Sequence, residues 1–139
     1  MKPCCLLIAT GLAIVGWVGF AATSDRKTET RVFELRTYHA APGKMKSLHA
    51  RFRDHTNKLF EKHGMTIIGF WNPADPEKAE QTLIYILAFP SKEAADKSWK
   101  AFRDDPEWKK AKDESEKDGV LVKKVDSVYM NPTDYSPLK

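Results

Sequence analysis

Seven consecutive apolar residues, Leu83-Ile84-Tyr85-Ile86-Leu87-Ala88-Phe89, constrain this chain more than any other feature. They follow Thr82 and precede Pro90, a length suited to one strand. Side chains in a strand alternate between its two faces. One face therefore carries Leu83, Tyr85, Leu87 and Phe89, and the other Ile84, Ile86 and Ala88. A strand apolar on both sides must be covered on both sides. The sheet around it needs helices on one face and a second cover on the other, and the sequence leaves open which set lies under which cover.

The flanking segments supply the helices. Lys44 to His63 places Met45, Leu48, Phe52, His55, Leu59 and Phe60 at three- and four-residue spacing, which predicts a helix. Pro42-Gly43 turns into it, and Gly64 stands where a helix C-terminal glycine belongs. Ser91 is a fitting cap for a helix with Ala95, Trp99 and Phe102 on its apolar stripe. Asp105-Pro106 predicts a fresh helix start, with Trp108 and Ala111 inward and Gly119 at the end. Strands are expected at 31–40, 65–71, 82–89 and 120–130, with a polar loop from Asn72 through Glu80. The order is β-α-β-β-α-β. That is the α+β, ferredoxin-like arrangement, a four-stranded antiparallel sheet with its helices on one face. With two helical segments available, the economical second cover is another copy of the same sheet. The expected assembly is a homodimer in which two sheets face each other as a barrel with helices outside.

Residues 1–23 read as a separate leader. Lys2 precedes an apolar stretch from Cys4 to Ala22, and Gly19-Phe20-Ala21 offers small residues for cleavage. Export to the periplasm or medium follows as an expectation. The stretch is also long enough to act as an uncleaved membrane anchor, the one route by which a membrane would be a partner. Residues 24–30 form a polar linker, and 31–139 form one domain. The two cysteines, Cys4 and Cys5, lie in the leader, so the domain itself has no thiol, disulfide or zinc-thiolate site. Net charge is +4 for the chain and +3 without Lys2. Its Lys and Arg residues are interleaved with Asp and Glu, which argues against a nucleic-acid surface.

The first strand reads FELRTY from Phe33 to Tyr38. Phe33, Leu35 and Thr37 share one face, and Glu34, Arg36 and Tyr38 the other. The first set is expected under the helices, and the second is expected to line the barrel interior. There Glu34 and Arg36 would need each other, as partners within the strand or across the dimer.

FELRTY, Pro42-Gly43-Lys44, FEKHG at 60–64, GFW at 69–71, DPEW at 105–108 and DYSPL at 134–138 occur in the order found in the NIPSNAP family, which the chain resembles over nearly all of its length after the leader. The resemblance implies a domain of the dimeric α+β barrel superfamily, whose members include cofactor-free monooxygenases, haem-degrading enzymes, isomerases and non-catalytic proteins. NIPSNAP-like proteins share no agreed catalytic activity. Strand three often carries a His and a Trp in this family. Here Tyr85 and Leu87 stand there, so a histidine-based site is not expected at that position.

The candidate pocket or barrel-lining residues are Glu34, Arg36, Tyr38, His55, Trp71, Tyr85 and Trp99. His55 sits between Phe52 and Leu59 on the predicted helix stripe and would look into the space between helix and sheet. There it would be the axial ligand in a haem reading, although no cofactor and no metal are expected. The histidines show no HExxH-like spacing, and there is no phosphate loop or nucleophile elbow. The chain reads as a homodimeric small-molecule-binding or interaction module. The alternative is a cofactor-independent monooxygenase or isomerase acting on an apolar small molecule, which needs a water-excluded pocket.

Overall fold

The computed structural model describes residues 31–139. The leader and linker, residues 1–30, lie outside the described residues. Four strands, β1 (Val32–Ala40), β2 (Thr66–Trp71), β3 (Thr82–Phe89) and β4 (Val122–Met130), form one antiparallel sheet in the order β2-β3-β1-β4. The expected ferredoxin-like topology is present, with β3 bounded as predicted. No helix of the described residues is long and apolar enough to cross a membrane.

The local signals for helix ends act as expected. Ser91 accepts the Ala94 N–H at the start of α4 (Lys92–Asp104). Asp105 accepts the Glu107 N–H at the start of α5 (Pro106–Ser115). Gly64 sits at φ 74°, the left-handed conformation that glycine adopts without a Cβ penalty. The 72–80 segment is not all loop, because Asp75 caps a short helix, α3 (Pro76–Ala79).

The first helical segment holds a feature that its spacing hides. It runs as α1 (Met45–Arg51), a π-turn (Phe52–Thr56) and α2 (Asn57–Lys62). The Asn57 N–H bonds the Phe52 carbonyl, five residues back, so one extra residue is absorbed into the helix. The inward stripe therefore continues from Phe52 through Thr56 to Leu59 and Phe60. His55 is left outside the stripe and exposed, against a shallow depression with Glu107, Lys110, Ala111 and Glu114. The expectation that it looks into the interlayer space is thus corrected by the π-turn.

The second correction concerns the faces of β1. Register places Glu34 opposite Leu87, Arg36 opposite Tyr85 and Tyr38 opposite Leu83. That face of β3 is the one beneath the helices, packed with Leu48, Phe52, Phe60, Trp99 and Phe102. Glu34, Arg36 and Tyr38 therefore lie under the helices, and Phe33, Leu35 and Thr37 are on the open face. Alternation alone gives two sets without saying which is inward. Sorting them by polarity fails here because hydrogen bonds satisfy the inward carboxylate and because the Arg36 stem and Tyr38 ring are largely apolar.

Across the open face, three rows run over the sheet. Trp71, Ile84, Thr37 and Asp126 form one. Gly69, Ile86, Leu35 and Val128 form the next. Thr66, Ala88, Phe33 and Met130 form the third. Gly69 has a packing reason: a Cβ there would meet the Trp71 ring at 2.8 Å, so the indole lies across it. The C-terminal tail reaches the third row, where Pro132 and Leu138 approach Phe33, Ile86 and Met130.

Candidate functional site

The polar centre of the molecule is built on Glu34. Its carboxylate is buried, at 1% exposure, yet each oxygen has donors. Oε1 accepts from Arg36 Nη1 at 2.8 Å and from Ser127 Oγ at 2.6 Å. Oε2 accepts the Trp99 indole N–H at 2.6 Å. Three elements converge because β1 pairs with both neighbours and α4 crosses above. Arg36 lies opposite Ser127, and Glu34 opposite Tyr129, on β4. The Ala95, Trp99, Phe102 stripe turns the Trp99 indole down onto the sheet. Three hydrogen bonds thus satisfy the two oxygens of a side chain taken out of water.

Arg36 is clamped from two sides. One N–H goes to Glu34, and the guanidinium stacks 4.2 Å from the Trp99 ring centroid. Its Nε is buried with no partner among the described residues, and so is the Tyr85 hydroxyl across the β1–β3 pairing. Burial first, and then the neighbouring Tyr38 phenol, push the Tyr85 hydroxyl well above the usual tyrosine range. It therefore remains a protonated donor and offers no phenolate base.

Beyond this centre the interlayer space is filled by rings. Tyr38, Phe52, Phe60, Phe70 and Tyr85 contact one another at centroid distances between 5.2 and 6.1 Å. Phe60, Trp99 and Phe102 continue the cluster. On the β4 side, where the rings end, an open cleft of about 630 Å³ lies between α4 and β4. Arg36, Asp96, Trp99, Lys100, Arg103, Ser127 and Tyr129 line it, with the buried Glu34 at its floor.

A second concavity, about 760 Å³, opens at the outer side of α1, with His49, Arg53, Asn72 and Gln81 in its lining. Burial, and then the nearby Arg53 charge, hold the His49 imidazole below its ordinary pKa, so it is neutral near neutrality. No carboxylate bonds it among the described residues, which leaves this groove without the coupled set seen around Glu34.

Of the candidate residues, Glu34, Arg36 and Trp99 meet in one site. Tyr38 and Tyr85 adjoin it in the aromatic layer. His55 is remote on the helix exterior, and Trp71 is on the opposite face of the sheet. The remaining histidines are tied to carboxylates: His39 Nε2 to the half-exposed Asp126 at 2.8 Å and His63 Nε2 to the buried Asp105 at 2.6 Å. No group of three His, Cys, Asp or Glu side chains among the described residues is arranged to hold a metal. Ser127, Tyr129, Lys100 and Arg103 were not singled out from the sequence. Ser127 and Tyr129 alternate on β4 as Arg36 and Glu34 do on β1, but only the β1–β4 register couples them.

The NIPSNAP family model matches residues 33–137. No curated protein matches the chain. Among solved structures, a NIPSNAP family protein of unknown function from Agrobacterium tumefaciens superposes with a TM-score of 0.68 at 20% identity, covering 81% of this chain and 96% of its own. An uncharacterized NIPSNAP-like domain protein from Burkholderia xenovorans gives 0.67 at 14% identity, covering 78% and 90%. A protein of unknown function from Rhodopseudomonas palustris gives 0.53 at 16%, covering 76% and 85%. These similarities carry the fold, and the match over residues 33–137 carries the family: this chain belongs to the NIPSNAP family.

Proposed function

We propose that the chain works as an exported, homodimeric binding module, with two copies packed sheet face against sheet face and each copy offering its own cleft to a small molecule. The observation that carries this reading is an apolar field on the sheet that no described residue covers. Leu35, Ile84 and Ile86 sit at its centre, and Trp71 and Val128 remain 48% and 54% exposed in the single chain. Contiguous exposed apolar surface of this kind marks an interaction site. A second copy of the same face is self-complementary about a twofold axis. Export rests on the composition of residues 1–23.

Binding is favoured over catalysis because the interlayer space is occupied by aromatic rings. A cofactor-independent monooxygenase or isomerase would need room there for an apolar substrate. The test is sedimentation equilibrium of the purified protein. A mass of two chains, falling to one folded chain in the Trp71→Lys, Val128→Asp double variant, is the expected result. A single-chain mass in the unaltered protein at micromolar concentration overturns the dimer.

A further inference from the structure

We infer that the α4–β4 cleft binds a small organic monoanion, a carboxylate carried on a flat apolar body. This deepens the binding-module reading and rests on its small-molecule part. Arginine carries five N–H donors. Arg36 has one acceptor among the described residues, the Glu34 carboxylate, and the rest of its guanidinium is held rigid by Trp99 with its side chain 18% exposed. A guanidinium fixed in place, with donors to spare, is preorganised for a carboxylate.

The surrounding charges define the ligand further. Lys100 is paired with Asp104, outside the cleft, and Asp96 with Lys92. Glu34 is consumed by its three donors. Arg103 makes no ion pair among the described residues, so it and the outer edge of Arg36 are the uncommitted cations. The three cations Arg36, Lys100 and Arg103 face the two carboxylates Glu34 and Asp96, which leaves one net positive charge. That balance suits one carboxylate. A dianionic phosphate would meet Asp96 and the Glu34 floor with charge left over. The half-buried Tyr129 ring, with the Lys92 ammonium 4.3 Å from its centroid, supplies the aromatic wall beside the cations.

The experiment is a titration of the full-length protein with sodium benzoate, following the Trp99 indole N–H resonance, with inorganic phosphate and benzyl alcohol in parallel. Benzoate is expected to shift that resonance saturably in the millimolar range, and the other two are expected to leave it in place. Arg103→Gln removes an exposed cation that makes no hydrogen bond or ion pair among the described residues, and should weaken the apparent affinity about tenfold. Absence of a saturable benzoate shift, an unchanged affinity in Arg103→Gln, or equal binding of phosphate or benzyl alcohol each overturns the inference. Sedimentation of the same samples separates the two readings. A dimer without benzoate binding fails the cleft alone, and a monomer that binds benzoate fails the dimer alone.

Discussion

The two faces of one sheet solve burial differently. The helix face takes in polar groups and satisfies most of them: Glu34 has three donors, and Trp99 and Ser127 each have their acceptor in it. The open face is mainly apolar, with Thr37, Asp126 and Thr66 in its rows, and among the described residues the tail reaches it at its Phe33 end. Converging hydrogen bonds and rings fix the covered face to one geometry, whereas no described residue closes over the centre of the open face.

The largest expected effect is on the covered face. Glu34→Ala leaves the Arg36 charge, the Trp99 indole N–H and the Ser127 hydroxyl without their acceptor, and should cost about 3–5 kcal/mol in urea unfolding. A loss below about 1 kcal/mol, the scale of an exposed ion pair, would mean that the carboxylate is solvated and the comparison of faces is wrong. On the open face the Trp71→Lys, Val128→Asp double variant should abolish the dimer while the circular-dichroism spectrum of the fold persists.

Tyr85→Phe removes a buried hydroxyl with no partner among the described residues, so thermal unfolding should show equal or higher stability, by up to about 1 kcal/mol. A clear destabilisation would reveal an acceptor for that proton. Acid should loosen the helix layer at the α4–α5 junction. Lys62 first, and then His63, bond the Asp105 carboxylate and hold it well below the usual carboxylate range. The folded chain then binds fewer protons than the unfolded chain near and below the unfolded pKa of about 3.9, so this contribution is full above that pH and is lost as pH falls toward the folded value. Asp105→Asn, which can still cap α5, should flatten the acid limb of the stability profile. An unchanged limb would place the acid-sensitive group elsewhere, with Asp126, bonded by Lys124 and then His39, next to be tested.

Much of the framework was legible because its signals are local. Ser91, Asp105-Pro106 and Gly64 each satisfy or turn backbone groups within a few residues, and the run from Leu83 to Phe89 specifies its strand without help. What the sequence hid depends on distant partners. The inward turn of Glu34 is favourable only because Trp99, 65 positions away, and Ser127, 93 away, supply donors. The π-turn that expels His55 changes the stripe by one residue without any glycine or proline to mark it. The tail's approach to Phe33 is likewise a tertiary event of a segment with no periodicity.

Two tryptophans, one on each face, give the most direct test. Trp71 is 48% exposed on the open face, and Trp99 is 6% exposed beneath α4. Acrylamide quenching should be followed over a dilution series in the unaltered protein and in Trp71→Phe. Trp71 emission should be shielded at high concentration and become quenchable as the dimer dissociates, while the quenching of the other tryptophans, left in Trp71→Phe, should not change with concentration. Trp71 emission that is equally quenchable at every concentration would contradict the meeting of two sheet faces.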